Sequence, residues 1–244
     1  MASSRACPSR STLSLLCACL AAALPAQQPN QQPDQQQDEK PQRPKDLGAL
    51  FQQFRAMHGM SASYTEKKHL SLLAVPLSSS GALHYMTDAD GDNGRLVRVV
   101  EKPEPSKLTV SEEELRIQDK RGTEVIDLRQ SGRVRLFVTS LMQVFRGDAE
   151  ALRRHYEVRF QHVAKTGDAW RLDLTPKQAP LDKILRSLSL RGRGEAVTEI
   201  VLTEPSGDRT VTTVTKADPR RTYTEKERLE IFGVRPAKAE KPRK

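Results

Sequence analysis

The seven residues from Asp88 to Gly94, DADGDNG, put carboxylates at alternate positions, the spacing with which a calcium loop presents its oxygen ligands. A loop of the helix–loop–helix type also needs Gly at its sixth position and a bidentate Glu at its twelfth, where this chain has Asn93 and Val99. The segment falls between two expected strands and reads as a solvated hairpin turn. The histidines, His58, His69, His84, His155 and His162, include no pair at metal-ligand spacing on one helix face. Glu112-Glu113-Glu114 reads as another solvated turn. No G-x-S-x-G elbow, S-x-x-K, phosphate loop or dinucleotide fingerprint is present. Scattered carboxylates could pair in space as an acid and a base, which spacing alone does not display. LRGRGE, from Leu190 to Glu195, sets two arginines about Gly192 without the interleaved rings on which single-stranded bases stack. Nucleophilic and nucleotide chemistry therefore have no anchor in these residues, and the expectation is no metal, no cofactor and no nucleic-acid partner.

What positions a binding surface follows from length and composition. The 244 residues, 36% hydrophobic and 29% charged, suit one large domain or two small ones, and they exclude collagen, a full-length coiled coil and wholesale disorder. At the start, Arg5 and Arg10 precede an apolar run from Leu13 to Leu24 and then Leu-Pro-Ala, the pattern of a secretory signal peptide cleaved after Ala26. The run is shorter than the roughly 20 residues that span a bilayer. A second reading takes Leu16-Cys17-Ala18-Cys19 as a lipobox with Cys19 acylated, against which the apolar run continues past Cys19. With cleavage after Ala26, Cys7, Cys17 and Cys19 all leave, and the mature chain has no disulfide, thiolate metal site or Cys nucleophile.

Residues 27–45 are rich in Gln and Pro and read as a disordered tether; residues 236–244 read as a frayed basic tail; residues 46–235 read as one domain. The formal charge of +9 includes Arg5 and Arg10 in the leader. A surplus of three lies in the tail, where Lys238, Lys241, Arg243 and Lys244 face Glu240, and the tether is neutral, so the folded body keeps +4. A mildly basic exported domain follows, one that can brush anionic membrane surfaces.

Asp46 is an N-cap, followed by Leu47, Leu50, Phe51, Phe54 and Met57 at helical spacing. After Met60 the pattern turns to short runs with period-two alternation. Leu83 with Tyr85, Leu96 to Val100, Leu108 with Val110, Leu115 with Ile117, and Val125 to Leu128 form an antiparallel meander. Phe137, Leu141, Val144 and Phe145 then predict a helix, and Gly147-Asp148 restarts a second one through Leu152. Strands resume at Tyr156 to Phe160 and Trp170 to Leu174, and a short helical piece covers APLDKILR. Leu188 with Leu190 follows, and Pro-Ser-Gly-Asp centres a closing hairpin. The sum is a mainly β fold with helices (α+β), ten or eleven strands in one curved sheet, and helices across one face to cover it.

In this order the sequence resembles the LolA family of periplasmic outer-membrane lipoprotein carriers, from about Leu47 to about Thr215. The resemblance rests on SASYTEKKHLSLLAVPLSSSGALHY, on RLVRVVEKPEPSKLTVSEEELRIQD, on SLMQVFRGDAEALRRHYEVRFQHV, and most specifically on AWRLDLTPKQAPLDKILRSLSLRG with EIVLTEPSGDRTVTTVT. It implies an open antiparallel half-barrel of about 11 strands whose mouth is closed by helices, in a monomer that is not an enzyme and shelters acyl chains in an apolar cavity. Acylated lipoproteins or lipids would be its partners, with an inner-membrane donor complex and an outer-membrane acceptor. A related open-barrel role, sensing mislocalised lipoproteins, stays open as the alternative. Burying one acyl chain of about 14 methylenes is worth on the order of 11 kcal/mol at ~0.8 kcal/mol per CH₂, so such cargo does not cross water unaided.

On this resemblance Leu50, Phe54, Phe137, Leu141 and Phe145 are the lid residues, and Leu83, Tyr85, Val97, Val99, Trp170 and Leu172 the cavity wall. Members often carry Arg-Pro after the second strand. This chain has Met86-Thr87-Asp88 there, which leaves Arg95 as the residue to hold the lid. The strand that usually carries Trp has Val97 and Val99 instead.

Overall fold

The computed structural model describes residues 44–87, 94–163 and 167–234, apart from the side chains of Arg133, Val134, Phe137, Ser140 and Leu141. The expected signal peptide, most of the tether, six residues of the Asp88–Gly94 turn and the basic tail lie outside these residues.

Helix α1 (Leu47–Arg55) starts where Asp46 accepts a hydrogen bond from the Ala49 N–H at 2.8 Å, satisfying one of the first turn's free donors. Six strands follow: β1 (Gly59–His69), β2 (Leu77–Met86), β3 (Arg95–Lys102), β4 (Ser106–Val110), β5 (Glu114–Asp119) and β6 (Gly122–Asp127). Helices α2 (Gly132–Phe145) and α3 (Ala149–His155) intervene before β7 (Tyr156–His162), β8 (Ala169–Pro176), β9 (Ser187–Arg193), β10 (Ala196–Thr203) and β11 (Arg209–Asp218). The short helical piece at APLDKILR is a single 3₁₀ turn, Leu181–Lys183. The chain ends in α4 (Glu225–Phe232).

All eleven strands join one antiparallel sheet in the order β6-β5-β4-β3-β2-β1-β11-β10-β9-β8-β7, open between β6 and β7. The chain winds outward from β1 to one edge, crosses through α2 and α3, and winds inward until β11 pairs with β1. Ten strand gaps at ~4.8 Å would put the edges of a flat sheet roughly 48 Å apart. At ~1.5 Å per residue α2 spans only about 21 Å. Side chains of both wings, Trp170 and Leu172 on one and Tyr85 and Val110 on the other, join α1 and α2 in one buried cluster, so the sheet curls around the helices and they lie over its concave face.

Strand alternation separates two apolar surfaces. On the concave side Leu50, Phe51, Phe54, Met60, Tyr85, Val110, Val138, Met142, Val144, Trp170, Leu172, Leu174, Leu188 and Leu190 form one buried cluster. On the convex side Met86, Val97 and Phe232 form a second, with Val99, Tyr223, Ile231 and Val234 against it. Helix α4 covers this convex patch and was absent from the expected elements. Its sequence signal is the capping box Thr224-x-x-Glu227, in which the Thr224 hydroxyl accepts from the Glu227 N–H and the Glu227 carboxylate accepts from the Thr224 N–H.

Candidate functional site: the concave face beneath the helices

The concave face is built by register. Met60 on β1 lies opposite Tyr85 on β2, Tyr85 opposite Leu96 on β3, and Leu96 opposite Val110 on β4. On the other wing Ile200 faces Leu190, Leu190 faces Leu172, and Leu172 faces Phe160. These same-face neighbours form an apolar tract across both wings, and α1 and α2 pack on it.

Trp170 anchors one wing. It is fully buried, donates from Nε1 to the Gly194 carbonyl at 2.8 Å, and meets Phe54 of α1 edge-on with ring centroids 6.0 Å apart. Gly192 is required beneath it, because a Cβ there would sit 2.2 Å from the indole Cζ2. On the other wing Phe145 of α2 stacks on Tyr85, with centroids 5.0 Å apart. Burial pushes the Tyr85 hydroxyl up to about 12, with the Arg146 charge pulling partly the other way, so it remains protonated at neutral pH.

The helices are tied to one another at Gly147, in the left-handed region at φ +66°, where a Cβ would meet the Phe51 carbonyl oxygen at 2.1 Å. Arg55 donates to the Gly147 carbonyl at 3.0 Å across the same contact. Arg146, at the end of α2, pairs with Glu112 in the β4–β5 turn. Beneath the helices the seam lined by Phe54, Met57, Met60, Val144, Phe145, Leu190 and Val197 holds about 10 Å³ of free space. A cleft of about 590 Å³ beside α1, lined by Pro44, Gln52, Phe54, Met57, Glu195 and Arg220, shares Phe54, Met57 and Glu195 with that seam. At its rim Arg220 forks onto Glu195 at 2.5 and 3.0 Å.

Farther along the strands the concave face turns polar. Arg98 on β3 donates to Glu66 on β1 at 2.7 Å and lies over the Tyr64 ring, its guanidinium carbon 4.9 Å from the centroid. Glu66 also accepts from the Thr212 hydroxyl at 3.0 Å and the Ser79 hydroxyl at 3.3 Å. Burial raises the pKa of the buried Tyr64 phenol, an effect the Arg98 charge offsets in part. The result is a charged pair set among Tyr64, Ser79 and Thr212 on the concave face.

Of the expected site residues, Leu50, Phe54 and Phe145 on the helices meet Leu83, Tyr85, Trp170 and Leu172 on the sheet in one cluster. Val97 and Val99 do not join them. Val97 pairs with His84 and Val99 with Ala82, which places both on the convex face under α4. Arg95 shares that outward face opposite Met86, so it is not placed to hold helices lying on the concave side. The reason is parity: Leu96-Val97-Arg98-Val99-Val100 is apolar at positions of both parities, and only pairing decides which side is in. The guanidinium on the concave face is that of Arg98, three residues on, a role its sequence position did not reveal. Phe137 and Leu141 fall on α2, and their side chains lie outside the described residues. Among the described residues no group of three His, Cys, Asp or Glu side chains could hold a metal ion.

Comparison with known proteins places the chain in a family. Curated proteins yield no significant match. Among solved structures, a DUF1329 family protein from Desulfovibrio piger is 11% identical, covers 75% of this chain and 94% of its own, and has a TM-score of 0.45. MucB in the MucA/MucB complex of Pseudomonas aeruginosa is 14% identical at a TM-score of 0.40; the match covers 79% of this chain and 59% of that one. A LolA superfamily protein from Nitrosomonas europaea is 13% identical, covers 74% and 96%, and has a TM-score of 0.38. The family described as outer membrane lipoprotein carrier protein LolA-like matches residues 40–226, most of the chain. The chain belongs to this LolA-like family.

Proposed function

We propose that the protein is an exported, periplasmic carrier that shelters the acyl chains of lipoproteins, or of a related lipid, between its concave sheet face and the helices α1 and α2. The observation that carries this reading is the apolar tract running from Phe160 to Val110 beneath helices packed on it chiefly through apolar side chains. A drug-sized ligand generally occupies roughly 300–1,000 Å³. The seam's 10 Å³ is far smaller, so loading requires the helices to lift. The adjoining cleft offers the route, since it shares Phe54, Met57 and Glu195 with the seam. Apolar contact suits such a lid: it is non-directional and re-forms on the same side chains once cargo leaves. The Arg98–Glu66 pair would meet the polar head of the cargo where the apolar tract ends.

The test is organic extraction of the protein purified from a periplasm, with mass spectrometry of the extract, followed by titration of the delipidated protein with acylated peptides. Co-purified acylated species and saturable binding are expected; indifference to every acylated ligand would sink the proposal. Delivery of a bound lipopeptide to acceptor vesicles separates a carrier from a sensor, which would bind cargo and keep it.

A further inference from the structure

The loop joining β1 to β2, Leu70 to Pro76, stands at the end of the sheet remote from α1 and carries a concentration of exposed apolar side chains. Leu72 is 94% exposed, Val75 73%, Leu77 53% and Leu73 46%. The loop is held in shape: the Leu73 N–H donates to the Leu70 carbonyl at 3.0 Å, and the Ser71 N–H donates to Asp208, in the β10–β11 turn, at 2.8 Å. A solvated loop has no reason to present this much apolar surface, whereas a contact surface does.

We propose that this hairpin apex inserts into the interface of an anionic lipid bilayer. Two observations select a bilayer over a protein groove. The apolar residues form a projecting tip, which a fluid acyl boundary accommodates without a preformed socket. The strands beneath the tip are basic. Lys67 and Lys68 on β1 and Arg209 on β11, opposite His69, sit within a few residues of it, and Arg186 donates to the Pro205 carbonyl in the neighbouring turn. Glu204, which pairs with Lys68, and Asp208, which holds Ser71, are the acids of the two tips. Lys67 and Arg209 have no ion-pair partner among the described residues, which leaves them to meet lipid phosphates. Apolar insertion supplies the attraction and these cations select anionic headgroups. The inference stands apart from acyl carriage, since a tip of this kind would bind membranes whatever the cavity holds.

Sedimentation of the exported chain with vesicles of phosphatidylglycerol and phosphatidylethanolamine, against phosphatidylcholine vesicles, tests it. Binding to the anionic vesicles is expected, reduced about tenfold or more by Leu72→Glu with Val75→Glu. Lys67→Glu with Arg209→Glu, and raised salt, should weaken it as well. Acylated-peptide binding measured on the same variants should stay at the wild-type level, so failure at the membrane and failure of carriage are read separately. Absence of vesicle binding, or binding that the glutamates leave unchanged, overturns the proposal. So does concentration-dependent dimerisation removed by Leu72→Glu without vesicle binding, because the tip would then be seated on a second copy.

Discussion

Arg98 and Glu66 face one another across β2 on the concave face of the sheet, a guanidinium nitrogen 2.7 Å from a carboxylate oxygen, with side chains only 28% and 20% exposed. Two strands that are not neighbours are thus linked by a pair that Thr212 and Ser79 complete on the carboxylate side. Partial withdrawal from water makes loss of one partner more costly than loss of both.

Arg98→Met should therefore destabilise the protein by about 1–3 kcal/mol, the usual worth of hydrogen bonds to a charged group. Adding Glu66→Met should recover part of that loss. Urea unfolding of the two single variants and the double variant checks it; strictly additive losses would show that the two side chains are uncoupled.

Trp170 is the only tryptophan in the chain and lies in the buried cluster against Phe54. Its fluorescence should therefore report directly on the seam, and binding of an acylated peptide should shift it in a saturable way. Phe54→Ala should redden the emission and cost about 3–5 kcal/mol, as large aromatic truncations in cores do. An emission spectrum that Phe54→Ala leaves unchanged would contradict the packing.

Gly192→Ala should destabilise by about 1–3 kcal/mol or more, because the new methyl would sit 2.2 Å from the indole and 2.5 Å from the Ala196 carbonyl oxygen. Thermal melting with Trp170 emission measures both the loss and the displaced ring; wild-type values for both would refute the close approach.

Val97 and Leu83 lie on opposite faces, so their truncations should separate stability from binding. Val97→Ala, in the fully buried convex cluster, should cost about 2 kcal/mol and leave acylated-peptide affinity unchanged. Leu83→Ala, at a partly buried concave position, should weaken that affinity at a smaller cost in stability. Equal loss of affinity in both would return Val97 to the cavity wall.

His84 lies beneath α4, its Nδ1 3.2 Å from the Tyr223 hydroxyl, which donates to the Met60 carbonyl oxygen. Burial holds the imidazole below its ordinary 6.5; Arg221 and Lys107 push the same way, and Glu227 opposes them. Because the unfolded chain takes up this proton first, the contribution of His84 is fully present above pH 6.5. It fades as the pH falls from 6.5 toward the folded-state value. Stability measured against pH should decline less over that window in His84→Asn than in the wild type; identical slopes would remove His84 from the cause.

Much of the frame was legible along the chain because its signals are local. The alternation in Trp170-Arg171-Leu172-Asp173-Leu174 assigns a strand and its buried side without reference to any partner, and β8 buries those three apolar residues. The Asp46 cap with Leu50, Phe51 and Phe54 likewise announces α1 and its inward face. Helix α4 was harder to read because most of its side chains are charged, and its apolar anchor, Phe232, finds its surface only when the convex face of β3 is assembled.

Sequence by itself determined the element types up to β11, the eleven-strand count within one, the absence of recognisable catalytic motifs and the kinship with LolA-like carriers, because these depend on spacing within short segments. Tertiary structure alone decided which valines of β3 face the helices, that Arg98 and not Arg95 stands on the concave side, and that Arg98 meets Glu66. Those outcomes depend on strand register and on sheet curvature, quantities set by partners 32 residues away in the Arg98–Glu66 case and by the crossing of α2 and α3 from one sheet edge to the other.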